Sequence, residues 1–130
     1  MAKINAFQSH STSNVNSVAQ YGALAALDLP ETYYAELREV YKKRAESAVR
    51  TCEKYLPKAK ICIPGGAFYL WIDVSGYGVD GNQFCERAVT EAYVLGVPGE
   101  EFGSKNHVRF SIACSEDYFI KALEKLSKIF

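Results

Sequence analysis

Apolar and polar positions along the chain fall into alternating helical and strand patterns. Residues 1–14 end in the polar run Gln8-Ser9-His10-Ser11-Thr12-Ser13-Asn14, rich in residues that cap or turn, and are expected to form a strap with no core of its own. Over residues 15–27, Val15, Val18, Ala19, Gly22, Ala23, Ala25 and Ala26 predict a helix whose small side chains permit close approach, with Ser13 or Asn14 as its N-cap. Pro30 stands where a helix can begin. Tyr34, Leu37, Tyr41, Ala45, Ala48, Cys52 and Leu56 then predict one long amphipathic helix that Pro57 ends. Its other face places Glu39 before Lys43 and Glu46 before Arg50, the acid-before-base order that supports a solvated helix surface.

Lys60-Ile61-Cys62-Ile63 and Ala67-Phe68-Tyr69-Leu70-Trp71-Ile72-Asp73 read as two strands separated by Pro64-Gly65-Gly66. In the second, Phe68, Leu70 and Ile72 point one way and Tyr69 and Trp71 the other, so cover is expected on both faces. Asp80 and Gln83 have capping-box spacing for a helix through Phe84, Ala88 and Ala92. Tyr93-Val94-Leu95-Gly96-Val97 predicts a short strand closed by Pro98-Gly99. Over residues 108–113, Val108, Phe110 and Ile112 alternate with Arg109 and Ser111, which projects an arginine from the middle of a strand. Ser115 caps a final helix with Glu116 and Asp117 at its positive end and a stripe of Phe119, Leu123, Leu126 and Phe130. This order predicts an α+β fold: a two-layer small domain over residues 15–130, helices packed on a small sheet, preceded by the strap of residues 1–14.

Composition narrows the function classes. At 130 residues, 48% hydrophobic and 23% charged, the chain is expected to fold as one soluble domain. Fifteen Lys and Arg balance fifteen Asp and Glu, so no net positive field favours nucleic acid or an anionic membrane as partner. No apolar run approaches the roughly 18 residues of a membrane span, and Met1-Ala2-Lys3-Ile4-Asn5 lacks the apolar core of a signal peptide, so a cytoplasmic location is expected. Cys52, Cys62, Cys85 and Cys114 are widely spaced, with only His10 and His107 as imidazole partners. They read as reduced core or near-surface thiols rather than a metal site.

Several catalytic devices are absent: there is no G-x-G-x-x-G, no Walker lysine motif and no G-x-S-x-G. Gly65-Gly66 reads as turn geometry more readily than as an anion cradle. His10 lies among serines and threonines with no acid or nucleophile beside it, and a surface histidine is the commoner case. Tyr69 and Trp71 could stack on an aromatic ligand, although alternate aromatics on a strand more often pack. Arg109 needs an acceptor, and pattern alone leaves two alternatives open. It can pair with a structural carboxylate such as Asp73 or Glu101, or present its planar fork to a ligand carboxylate.

Four segments occur in a family order. They are Gln8-Ser9-His10-Ser11-Thr12-Ser13-Asn14 with Ser17, Ala19 and Gln20; Pro64-Gly65-Gly66-Ala67-Phe68-Tyr69; Val97-Pro98-Gly99-Glu100-Glu101-Phe102-Gly103; and His107-Val108-Arg109-Phe110-Ser111 with Ala113 and Ser115. With them the whole chain resembles the C-terminal, small domain of fold-type I pyridoxal-phosphate-dependent aminotransferases, closest to the prokaryotic aspartate aminotransferase branch. The resemblance implies that Arg109 grips the substrate α-carboxylate of an amino acid or 2-oxo acid. It also implies that the strap runs near a dimer interface, with a homodimer or higher oligomer as the assembly. It further implies that the aldimine lysine, the aspartate beside the pyridine nitrogen and most phosphate-binding groups lie upstream in the complete enzyme. Lys3 is too close to the strap to match that lysine. The chain is therefore expected to be a fragment without cofactor or catalytic residues of its own, pyridoxal phosphate belonging to the complete enzyme. The alternative is a freestanding non-catalytic module that binds carboxylates or a protein partner.

Overall fold

The structure, a computed structural model, describes residues 1–130. It divides into two compact units, Met1–Glu36 and Leu37–Phe130.

The first unit contains α1 (Ala2–Thr12), α2 (Ser17–Leu27) and the start of α3 (Glu31–Tyr55). The expected strap is thus helical. Residues 2–12 contain no Gly or Pro, and Ala, Lys and Gln favour helix strongly enough to carry the Ser-Thr tail with them. As expected, nothing in this segment is buried. The cap of α2 is Asn16 rather than Ser13 or Asn14: its Oδ1 accepts from the Val18 and Ala19 N–H groups at 2.9 and 3.2 Å. No α2 residue is buried either, and Val18, Tyr21, Leu24 and Leu27 are all well exposed. The Tyr34 hydroxyl donates to the Ala26 carbonyl at 2.6 Å, tying α3 to the end of α2.

The second unit holds the core. Pro57 stops α3 as predicted, after Leu56 donates its N–H to the Cys52 carbonyl at 2.7 Å. Four antiparallel strands follow in spatial order β1-β2-β4-β3: β1 (Lys60–Cys62), β2 (Tyr69–Asp73), β3 (Val97–Pro98) and β4 (His107–Ser111). Between β2 and β3 lies α4 (Gly81–Ala92), and α5 (Glu116–Leu126) closes the chain. The Asp80–Gln83 capping box forms in full, and Ser115 caps α5 by accepting from the Tyr118 N–H.

Strand alternation sorts the side chains. Leu70 pairs with Phe110 and Ile72 with Val108, all buried on the face covered by α3, α4 and α5. Phe84 of α4 anchors this layer: its ring lies parallel to Phe130 at 4.0 Å and edge-on to Phe110 at 6.5 Å. Fully burying side chains such as Leu70, Ile72, Leu123 and Leu126 contributes about 1.5–3 kcal/mol each, which makes this single layer the main source of stability. Phe68 departs from expectation. It falls outside β2, 40% exposed, and packs beside Tyr41 and Tyr69.

The predicted strand over residues 93–97 shrinks to Val97–Pro98. Tyr93 enters the left-handed region (φ 57°) to end α4, and its N–H goes to the Ala88 carbonyl. Gly96 then passes so close to β4 that a Cβ there would lie 2.9 Å from both Val108 and Phe110 side chains.

Candidate functional site

The second face of the sheet is built from the same alternation. Trp71 pairs with Arg109, Tyr69 with Ser111 and Asp73 with His107, so these six side chains emerge together, away from the core layer. Val97 pairs with Arg109 from the other side. The anticipated cover on this face is supplied not by a helix but by the 3-10 turn Gly99–Phe102 and by Arg109 and His107 themselves.

Arg109 is half-buried here. Its guanidinium carbon lies 4.3 Å from the Tyr69 ring centroid and 4.3 Å from that of Phe102. It forms no ion pair, unlike Arg87, which pairs with Glu91, and Lys105, which pairs with Asp80. Asp73, one of the two carboxylates considered as a partner, instead turns to Ser75: hydrogen bonding from the Ser75 hydroxyl first, and then from its N–H at 2.9 Å, holds the Asp73 pKa below the usual carboxylate value. Glu101, the other, is exposed in the turn. The N–H fork of Arg109 therefore makes no ion pair or hydrogen bond within the protein.

Around it, the Trp71 ring stacks on His107 at 5.1 Å (14° between planes) and meets Phe102 edge-on at 5.8 Å. His107 Nδ1 and Ser104 Oγ are hydrogen-bonded at 2.6 Å, which fixes the imidazole. The turn is held from below. Asn82 bonds Glu100, the Gly81 N–H donates to the Lys105 carbonyl at 2.8 Å, and a Cβ on Gly99 would strike the Ser104 and His107 carbonyl oxygens at 2.5 and 2.7 Å.

The other residues singled out from the sequence lie elsewhere. His10 is exposed on the last turn of α1, and Gly65 and Gly66 sit in the open β1–β2 connection with nothing near their Cα hydrogens. Cys52 and Cys85 are in the core, where burial pushes their thiols up to about 12 and about 11; Cys62 and Cys114 are exposed. No helix is long and apolar enough to cross a membrane.

Residues 2–126 match the family described as aminotransferase class I and II. The chain belongs to that family. The aspartate aminotransferase of Thermotoga maritima is 37% identical over 123 residues, covering 95% of this chain and 30% of the relative. Its crystal structure matches with a TM-score of 0.75 over 95% of this chain and 31% of that one. A structure of Thermus thermophilus aspartate aminotransferase with maleate matches with a TM-score of 0.80 at 34% identity, covering 96% of this chain and 33% of that one. The chain thus spans about a third of the length of the relatives it matches.

Aminotransferases of this family imply pyridoxal phosphate, which supplies an electron sink for the bonds at the substrate α-carbon. It needs an amine for its aldehyde and several donors for its phosphate. The side chains against Arg109 are rings, and the lysine that strand register places on this face, Lys60, pairs with Asp73 on the far side of β2. The residues of this chain alone do not fit that cofactor. What they make is an arginine fork walled by aromatic side chains.

Proposed function

We propose that this chain is the C-terminal, substrate-carboxylate-binding domain of an aspartate aminotransferase-like enzyme, with Arg109 as the ligand of the α-carboxylate. The single observation that carries this reading is the guanidinium of Arg109: half-buried, flanked by rings and spending none of its donors on a protein carboxylate. A half-buried cation with an unused planar fork matches the two oxygens of a carboxylate, which accept two parallel charge-assisted bonds. Family membership supports the substrate class, amino acids and their 2-oxo acids. The maleate carried by the Thermus relative is itself a dicarboxylate of that size. In this reading the chain binds and orients substrate, while the electron sink and its lysine come from the rest of the enzyme. Alone it does not transaminate.

The test is maleate titration of the isotopically labelled chain, followed at the Arg109 side-chain resonance, with Arg109→Lys beside it. Two charge-assisted bonds are worth about 3–5 kcal/mol. Because Lys keeps the charge but loses the fork, about half of that should vanish, weakening binding some 10- to 50-fold. The melting temperature should barely move, since no protein partner is left unpaired. Equal maleate affinity in both proteins, or unfolding of the variant, would make Arg109 a structural residue. Turnover of aspartate and 2-oxoglutarate by this chain with added pyridoxal phosphate, well above that of the free cofactor, would overturn the non-catalytic half of the reading.

A further inference from the structure

We propose that Tyr69 and Phe102 are positioning residues for Arg109, holding its guanidinium between two rings so that an incoming carboxylate meets only its N–H edge. The proposal rests on the carboxylate reading of Arg109 and adds how the fork is set before any ligand arrives. A long arginine side chain normally samples many rotamers and loses that freedom when it grips a ligand. Here the guanidinium carbon is 4.3 Å from each ring centroid, well inside the roughly 6 Å reach of cation–π attraction. The guanidinium carbon lies over both rings at the same distance, one ring carried by β2 and the other by the Gly99–Phe102 turn. Stacking uses the faces of the guanidinium, whereas its donors lie in the plane. Ring contact and carboxylate binding therefore do not compete.

Each ring is fixed by a different part of the fold. Tyr69 is pinned by β-pairing to Ser111 and by the Phe68 ring at 4.5 Å. Phe102 rides on the Gly99–Phe102 turn, which is closed by the Gly103 N–H to the Glu100 carbonyl and the Ser104 N–H to the Gly99 carbonyl, both at 2.9 Å. Its ring is held edge-on by Trp71, which in turn is stacked on the Ser104-bound His107. Two walls anchored on separate elements can hold a side chain between them, which one wall alone would not do.

The experiment measures Arg109 mobility directly, without ligand, by nitrogen relaxation at its Nε in the whole chain. In the unaltered protein the Nε order parameter should exceed about 0.6, and its proton should carry the ring-current displacement of two neighbouring rings. Phe102→Leu keeps an apolar side chain but removes the ring at a position already 50% exposed, so the fold should survive. Its Arg109 Nε order parameter should fall below about 0.6, and maleate affinity should drop about three- to tenfold. Tyr69→Leu should act in the same direction, and Phe102→Tyr, which restores a ring, should behave as the unaltered chain does. A mobile Nε in the unaltered protein, or order parameters unchanged by both leucine variants, would overturn the proposal. So would maleate affinity that stays constant while Arg109 loosens, an outcome that leaves the carboxylate reading standing. A rigid Arg109 that both leucine variants loosen, but that never responds to maleate, establishes the holding role and refutes the carboxylate reading instead.

Discussion

Replacing Gly81 with alanine sets two effects of opposite sign against each other. Gly81 opens α4, and alanine there should gain up to about 1 kcal/mol of helix propensity. Gly81 is also buried against the chain that leads into β4. A Cβ would stand 2.2 Å from the His107 carbonyl oxygen and 3.1 Å from that of Lys105. Both are backbone atoms and cannot rotate away, so a gap of more than 1 Å must be opened by moving α4 or the 105–107 segment. That movement works against the Gly81 N–H to Lys105 carbonyl bond at 2.8 Å. Overpacking of this kind costs about 1–3 kcal/mol, and losing a buried backbone bond adds about 1–3. Steric cost outweighs propensity, and the net expectation is about 1–6 kcal/mol of destabilisation. For a chain this size each kcal/mol lowers the melting temperature by about 3–4 °C. Urea unfolding gives the free energy directly, with an unchanged m-value required if the native state alone has been altered. Because His107 is two residues from Arg109, the variant should also disturb the Arg109 resonance. A Gly81→Ala protein as stable as the parent would mean that the helix start and β4 are not in contact as described, and the placement of the Gly99–Phe102 turn would fall with it.

Two further expectations concern the core and its caps. Asp80→Ala removes the acceptor that binds the Gln83 N–H at 2.9 Å and half of a reciprocal box, for a loss of about 1–2 kcal/mol by urea unfolding, while Asp80→Asn should keep most of it. With folded thiols at about 12 for Cys52 and about 11 for Cys85, the unfolded chain, titrating near 8.5, gives up those protons first. Stability is then full below that value and falls as pH rises above it, by about 1–2 kcal/mol at pH 10 for the more deeply shielded Cys52 and by less for Cys85. Urea curves at pH 7 and pH 10 measure the loss, which Cys52→Ala should reduce. A flat profile across this range would show that the two thiols are not shielded.

Much of the framework was readable because single residues announce themselves locally. Pro57, the Asp80–Gln83 pair and Ser115 mark helix ends through chemistry that needs no tertiary partner, and the alternation in β2 and β4 fixed which face each side chain takes. The departures have separate causes. In α1 a tail of Ser and Thr suggested a turn, but the preceding residues outweigh it. Asn16 displaced two neighbours of equal capping ability. Tyr93 adopts a left-handed conformation that nothing in its own side chain favours, so the strand expected there could not begin. At the site, Arg109 was visible from its strand, and His107 was readable as its neighbour two positions back on the same face. Phe102 was not. Its place over the guanidinium depends on a turn held by Asn82 and by the lack of a side chain at Gly99, which are facts of packing between distant segments.

The strict alternation of β4 also acts as a proofreading device during folding. Sliding this strand by one residue against β2 would send Val108 and Phe110 outward and drive Arg109 and His107 into the layer beneath Phe84. An unpaired guanidinium in that dry interior is among the most expensive errors a small domain can make. The correct alignment is further clasped at both ends, where Val74 donates to Asn106 at 2.9 Å and Ile112 to Phe68 at 2.8 Å. Misaligned chains are therefore excluded from the folded population by the charge of Arg109 itself, and every molecule that completes its sheet displays the arginine on the open side.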